Sequence, residues 1–261
     1  MKPLWREWPN LEPIIVAQRR LVLLLDFDGT LSPLAETPDG ARLPARVRRS
    51  LLRLVSLGGV RVAVISGRPV DYLRRTIRLQ PVYYSGNHGL EIVGPRTSYC
   101  HPMAAGLRKQ IRRWAKSWQD PVSRIPGAFL EDKGVSLSLH YRRVLPHHLS
   151  AFRALVRRLR IETAACRVRW QQGKKVWEVL PAAAWDKGRA ARVLTQRLKH
   201  FFPVIVGDDE TDEDMFRAFR GKGLTIAVGR TRSAAAFRLR RQNDVPRFLE
   251  RLCDQWEHRR K

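Results

Sequence analysis

The sequence predicts an α/β fold: a doubly wound, mostly parallel sheet with a smaller α/β module inserted into it. Three observations carry this. Short aliphatic runs recur without alternation, each closing on a polar or glycine residue; helical patterns lie between them; and the middle third breaks that rhythm with alternating segments. Runs that are apolar at every position suit strands covered on both faces, whereas alternation marks a sheet with one wet face.

The runs are 21–25, which stops at Asp26; 60–65, which stops at Ser66; 204–206, which stops at Gly207; and 224–228, which stops at Gly229. Helical patterns cover 44–56, 70–77, 187–200 and 213–219. Strand and helix in alternation give a Rossmann-like core with helices on both faces. In such sheets functional groups collect at the carboxyl ends of the strands, which is where Asp26, Ser66 and Asp208 fall. The middle third offers a basic amphipathic helix over 103–118, an alternating strand over 134–141, a helix over 147–160 and strand-like segments at 167–170 and 176–180. These predict a small antiparallel sheet backed by two helices. With borders near Gly94-Pro95 and Pro181, the core comprises 1–94 and 182–261, and the insert 95–181.

A length of 261 residues supports this organisation, and 44% hydrophobic with 28% charged residues excludes a disordered chain. Fifty Lys and Arg against 24 Asp and Glu leave a net charge of +26. Such a chain attracts anions, so nucleic acid, anionic membranes and phosphorylated small molecules are all candidate partners. The basic residues are dispersed, as in Arg74-Arg75, Arg112-Arg113 and Arg240-Arg241, rather than gathered in one module. Dispersal argues against specific nucleic-acid recognition and for salt-sensitive, non-specific polyanion binding. The longest aliphatic run, 21–25, is far too short for a membrane span. Three distant cysteines (Cys100, Cys166, Cys253) form no zinc or disulfide framework. The expectation is a soluble, cytoplasmic protein.

Chemistry concentrates at four strand ends. In Asp26-Phe27-Asp28-Gly29-Thr30 two carboxylates stand two apart past a strand, with Gly29 permitting a tight turn. One can attack a phosphorus centre while the other handles the leaving-group proton. The acidic run 208–214 stands out in so cationic a chain, and its mutual repulsion calls for a hard cation with oxygen ligands. Glu213 and Asp214 are accounted for by the dipole of the helix they open. Ser66, before Gly67-Arg68-Pro69, offers a hydroxyl at a helix start, a natural anion seat. Lys187, after Asp186, could bring a point charge to a phosphoryl oxygen. Plain helix capping is the alternative for Asp28, Thr30 and Ser66.

Taken together, Asp26-x-Asp28, Ser66, Lys187 and Gly207-Asp208-Asp209 resemble the four motifs of the haloacid dehalogenase superfamily of phosphohydrolases. Finer strings are similar to the trehalose-6-phosphate phosphatases: Ile65-Ser66-Gly67-Arg68, Gly86-Asn87-His88-Gly89-Leu90-Glu91, Glu131-Asp132-Lys133, His140-Tyr141-Arg142, Gly173-Lys174-Lys175-Val176-Trp177-Glu178, and 207–213. The resemblance spans roughly 21–229. It implies Asp26 as the nucleophile that becomes an aspartyl-phosphate, and Asp28 as general acid and base. It implies Mg²⁺ held by Asp26, the Asp28 carbonyl and Asp208, with Ser66 and Lys187 on the phosphoryl group and Asp209 and Asp212 around them. The insert becomes a cap of the C2 type that grips a sugar phosphate through Glu131, Lys133 and Glu178, with Arg68, Asn87 and His88 as further substrate contacts. A functional pairing with a trehalose-phosphate synthase is also implied. Sucrose-phosphate phosphatase and phosphomannomutase share the four motifs and are the competing resemblances, with a polyanion-binding protein as the alternative from another class. His88 and His140 also admit plain packing roles.

Eight tryptophans invite a sugar-stacking role, but Trp114 and Trp118 stand four apart on one helical face, which reads as core. Trp177, alternating with Glu178, falls on the opposite sheet face from it. The Arg-rich tail, 238–261, is explained by none of the motifs.

Overall fold

The computed structural model describes residues 1–35, 40–173 and 175–258. Lys174 and the end of the Arg-rich tail, 259–261, lie outside the described residues. The chain divides into two compact units, one formed by Met1–Tyr99 with Trp185–Lys261 and the other by Cys100–Ala184.

The first unit begins with β1 (Lys2–Pro3), α1 (Leu4–Val16), β2 (Leu21–Leu25), α2 (Ala45–Ser56), β3 (Val60–Ile65), α3 (Val70–Ile77), β4 (Val82–Gly86), β5 (Glu91–Gly94) and β6 (Thr97–Cys100). The chain then builds the second unit from α4 (Pro102–Ser123), β7 (Phe129–Asp132), β8 (Leu137–His140), α5 (Leu149–Glu162), β9 (Val168–Gly173) and β10 (Val176–Pro181). It returns to complete the first with α6 (Lys187–Arg197), β11 (Phe202–Gly207), α7 (Glu213–Ala218), β12 (Leu224–Val228), β13 (Phe237–Leu239) and α8 (Val245–His258).

The large sheet runs β1-β13-β12-β11-β2-β3-β4-β5-β6. It is parallel from β1 through β4, and β5 turns back antiparallel on β4. Every residue of β2 is buried because the strand is covered twice. Leu21, Leu23 and Leu25 face the layer of α1, α2, α3 and α8, whereas Val22 and Leu24 face α6 and α7. This is the α/β doubly wound architecture that unalternating runs demand. Leu25 stands level with Val206 on one side and Val64 on the other, so β11, β2 and β3 release their loops at one edge. That register fixes where the chemistry gathers.

The hairpin β5–β6 extends the large sheet beyond Gly94. Tyr99 and Trp185 stack with ring centroids 5.8 Å apart and belong to the apolar layer beneath α6.

The Arg-rich tail is a core element. From α8, Phe248, Leu249, Leu252, Cys253 and Trp256 are buried, and its wet face is stitched by charge. Arg46 makes two 2.6 Å hydrogen bonds to Glu250, and Arg53 reaches Asp254 and Glu257, both at 2.8 Å.

The second unit is an antiparallel sheet, β7-β8-β10-β9, with α4 and α5 on one face. Leu130, Leu137, Leu139 and Val179 point to those helices together with Trp114, Trp118 and Phe152. Trp114 and Trp118 stack at 5.6 Å, as the helical spacing predicts. The period of two sends the intervening residues, Glu131, Ser138, His140 and Glu178, to the other face.

Candidate active site

After β2 the chain turns so tightly that the Gly29 amide donates to the Ser32 carbonyl at 2.7 Å and Ser32 donates back to Phe27 at 2.8 Å. Gly29 sits at φ +86, and a Cβ there would lie 2.1 Å from Asp208 Oδ2. Glycine is therefore required twice, for the turn and for the approach of the β11 loop. Thr30 closes that approach, its hydroxyl donating to Asp208 Oδ1 at 3.0 Å. Sequence reasoning left Thr30 as a helix cap; its position beside the acidic pair was the available signal.

The loop after β11 is arranged by Asp212. Its Oδ2 accepts the backbone amides of Asp208 (2.9 Å) and Asp209 (3.0 Å), while Asp209 Oδ1 caps the following turn by accepting from Thr211 and Asp212. Gly207 allows this, since a Cβ there would stand 2.4 Å from the Asp212 carboxylate. The helix-dipole reading of Glu213 misses its use: Glu213 is buried, and its Oε2 accepts the Ala234 amide at 2.7 Å, tying down the loop that follows β12.

Lys187 enters from the first turn of α6, where Asp186 caps the helix by accepting the Arg189 amide at 2.7 Å. Its ammonium is buried and donates to Asp26 Oδ1 at 2.7 Å and Asp212 Oδ1 at 2.8 Å, with Asp209 at 3.9 Å. Carboxylate oxygens of Asp26, Asp208 and Asp212 all lie within 4.8 Å of one another. The structure thus brings together Asp26, Lys187, Asp208, Asp209 and Asp212 from three segments far apart in sequence.

Four carboxylates face one ammonium, and the balance shows in their protonation. Burial, then the neighbouring Asp212, push the Asp26 carboxyl well above the usual carboxylate range against the pull of Lys187. Burial and Asp212 likewise push Asp208 up to about 6, and burial raises Asp212. Burial works against the Lys187 charge, but Asp212 and Asp26 outweigh it and hold the ammonium well above its ordinary value. Only Asp209 is lowered, because Lys187 and Thr211 outweigh its burial. The cluster is short of positive charge. Asp212 has committed both its oxygens, whereas Asp26 Oδ2 and Asp208 Oδ2 accept no hydrogen bond among the described residues. Carboxylate oxygens within 4.8 Å of one another, carrying surplus negative charge, fit a divalent cation.

Ser66 is buried at the end of β3, and its Oγ accepts the Arg68 amide at 3.1 Å. Arg68, expected as a substrate contact, lies beside this segment, where its Nε and Nη2 donate to Asp28 Oδ2 and Oδ1 at 2.8 and 2.7 Å. Asn87 is fully buried at φ +52, with its amide donating to Glu91 at 2.8 Å. His88, at φ +57, lies against Gly67, where a Cβ would come within 2.8 Å of its ring. Backbone amides of Asn87 and His88 donate to the carbonyls of Arg68 and Ser66 at 2.9 and 3.0 Å, binding this turn to the Ser66 segment.

On the wet face of the second unit Lys133 donates to Glu178 at 2.9 Å, Ser138 reaches the same Glu178 oxygen at 3.2 Å, and His140 pairs with Glu131 at 2.8 Å. Register explains the grouping, since Ser138 stands opposite both Glu131 and Glu178. Among the described residues no helix is long and apolar enough to cross a membrane.

Comparison with known proteins gives this arrangement a family. Residues 24–243 match the family described as trehalose-phosphatase. A probable trehalose-phosphate phosphatase H of Arabidopsis thaliana is 31% identical over 93% of this chain and 74% of its own length. A probable trehalose-phosphate phosphatase 9 of Oryza sativa subsp. japonica is 34% identical over 90% and 70%. Among solved structures, the C-terminal domain of the C. albicans trehalose-6-phosphate phosphatase superposes with a TM-score of 0.75, at 25% identity, over 94% of this chain and 96% of that one. The family match runs from within β2 to the turn before α8 and so contains every element of the carboxylate cluster; the chain belongs to the trehalose-phosphatase family, a family of phosphoric monoester hydrolases.

Proposed function

We propose that the protein is a Mg²⁺-dependent phosphatase that hydrolyses trehalose 6-phosphate to trehalose and phosphate through an aspartyl-phosphate, the last step of trehalose synthesis. The observation that carries this reading is the gathering of Asp26, Asp208 and Asp212 around Lys187. One Asp26 carboxylate oxygen attacks the phosphorus and forms the new P–O bond, leaving the other for the cation. The P–O bond to the sugar breaks as Asp28 gives its proton to the departing sugar oxygen. Asp28 then takes a proton from water, whose oxygen attacks phosphorus and releases Asp26 and inorganic phosphate. Lys187 and the Ser66 hydroxyl meet the oxygens of the transferring group, and Asp212 orients Lys187. Asp26, Asp208 and the Asp28 carbonyl would hold Mg²⁺, which when bound would neutralise charge on the phosphoryl oxygens. Together these effects must supply about 20 kcal/mol or more for a phosphate monoester.

In this reading Met1–Gly94 and the return from Ala182 are the catalytic core, and 95–181 is the cap. Glu131, Lys133 and Glu178 share one wet sheet face, where charge-assisted hydrogen bonds suit a polyhydroxylated disaccharide. Three free cysteines accord with a cytoplasmic, reducing location. A trehalose-phosphate synthase, which makes this substrate, is the proposed functional partner. The test is phosphate release over a panel of sugar phosphates. Trehalose 6-phosphate is expected to be turned over fastest, and EDTA to abolish release. Full activity in metal-free buffer overturns the mechanism, and a preference for sucrose phosphate overturns the substrate.

A further inference from the structure

The helix-covered face of the second unit holds a site that the phosphatase reaction does not use. Where α5 passes the β9–β10 hairpin, a cleft of about 380 Å³ opens. Its floor is apolar, from Leu149, Phe152 and Val156, and its rim is cationic. Arg153 and Arg157 project from successive turns of α5, with Arg160 one turn further on and Lys175 across from them on the hairpin. Two rings stand between these charges. The Arg160 guanidinium lies 5.6 Å from the Trp177 ring centroid, and Lys175 Nζ lies 5.8 Å from that of Tyr141. The Tyr141 hydroxyl accepts from Gln172 Nε2 at 3.2 Å.

The charge here is uncompensated. No carboxylate lines the cleft, and among the described residues none of these four cations forms an ion pair. The single acid of α5, Glu162, is engaged elsewhere, accepting from Trp118 Nε1 at 3.1 Å. By contrast, Arg46 is paired with Glu250 and Arg68 with Asp28. Four cations held together without a counter-charge repel one another, and an anion relieves that. Guanidinium forks match phosphate oxygens, while flat π faces and an apolar floor match an aromatic ring. The volume falls in the range of small-molecule pockets, roughly 300–1,000 Å³. A bare inorganic anion would leave the floor unfilled, and a nucleic-acid strand needs a continuous track rather than a single cleft.

We propose that this cleft binds a nucleotide, with its phosphates on the Arg153 and Arg157 side and its base against Trp177 and Tyr141. The site is distinct from the carboxylate cluster and stands whether or not the phosphatase reading holds.

Calorimetric titration of the full chain with ATP, in EDTA and at about 0.15 M ionic strength so that diffuse charge is screened, tests it. One-to-one binding is expected, with adenosine and tripolyphosphate each binding more weakly. The double variant Arg153→Glu/Arg157→Glu should lose at least about tenfold in affinity, whereas Arg112→Glu/Arg113→Glu, the same charge change on exposed positions of α4, should keep it. Equal losses in both variants mean that only the net charge is felt, and overturn the proposal. So does tripolyphosphate binding as tightly as ATP, or a single-stranded oligonucleotide that binds more tightly and displaces it. If the first variant fails to fold by circular dichroism, Trp177→Phe decides: ATP must quench less of the tryptophan emission and bind more weakly, and an unchanged titration rejects the site.

Discussion

The Arg68 guanidinium holds Asp28 by both carboxylate oxygens, at 2.8 and 2.7 Å, and itself lies 4.8 Å from the ring centroid of Tyr72. A fork anchored on an aromatic face fixes the direction of the carboxylate as well as its charge. An aspartate that must carry a proton to a leaving group cannot do so while both oxygens are held in an ion pair. In the proposed mechanism the pair is therefore a resting arrangement that positions Asp28 and opens for acid catalysis. Arg68→Ala is expected to lower kcat about 10- to 100-fold, the cost of a misplaced catalytic group, with KM changed by less than about threefold. Arg68→Lys should rescue little, because a point charge cannot reproduce the fork. Steady-state kinetics separate the two roles: a large rise in KM with kcat preserved would return Arg68 to the substrate.

Metal should matter most for stability at neutral pH. Asp208 is pushed up to about 6, above its ordinary value of 3.8, so the metal-free fold favours its protonated form. A carboxyl raised by folding contributes stability below its unfolded value and loses it as pH rises through the folded value. The cluster therefore weakens the metal-free protein above pH 6, and a bound cation removes the penalty. At saturating Mg²⁺, about 100 times its Kd, ligand linkage amounts to about 2.7 kcal/mol, roughly 5–10 °C in Tm for a chain of this size. That increment is expected at pH 7.5, and a distinctly smaller one at pH 5. Thermal unfolding with Mg²⁺ and with EDTA at both pH values checks this, and equal increments contradict it.

Gly29→Ala should be among the most damaging small substitutions in the chain. The new methyl would stand 2.1 Å from Asp208 Oδ2, on a residue at φ +86. Either Asp208 or the 26–32 turn must move, and both carry the proposed cation site. Backbone strain alone costs on the order of 1–3 kcal/mol. Activity should fall by more than about 100-fold, and the Mg²⁺-dependent rise in Tm should vanish with it. Retention of that rise would show that Asp208 keeps its place without the glycine.

What could be read ahead of the structure divides along a physical line. β2, β3 and β12 are legible to the residue because strands buried on both faces are nearly continuous apolar runs, broken here only by Arg61 and Thr225. Asp26, Ser66 and Asp208 follow from the same reasoning, as the residues immediately beyond those runs. β4 was missed because Tyr83, Tyr84 and Ser85 carry polar atoms, although all three are buried. The tail was left unexplained by the motifs for the opposite reason: charged residues stand out in its composition, yet α8 buries an apolar stripe and pairs its acids with Arg46 and Arg53 of α2. Arg68 and Asn87 were assigned by motif alone, and motif spacing says nothing of which way a side chain turns. Their partners are Asp28, in the loop turned at Gly29, and Glu91, which opens β5 after the turn at Asn87.

The wet face of the second unit offers the sharpest separation between binding and chemistry. Glu131 is paired with His140 at 2.8 Å, and Lys133 is paired with Glu178 at 2.9 Å, with Ser138 between them at 3.2 Å from Glu178. A sugar hydroxyl competes for these groups by offering both a donor and an acceptor, and each charge-assisted hydrogen bond contributes about 1.5–3 kcal/mol. Glu131→Ala should therefore lower kcat/KM for trehalose 6-phosphate by about 10- to 100-fold. It should leave p-nitrophenyl phosphate within about threefold, because that substrate has no second sugar to grip. Glu178→Gln is the companion variant. It keeps the shape but breaks the ion pair with Lys133, which is only 8% exposed, and so should add a loss of stability that Glu131→Ala lacks. Parallel kinetics on both substrates with thermal unfolding of both variants settle the assignment. Equal losses on the two substrates would take Glu131 out of sugar recognition and leave it a structural partner of His140.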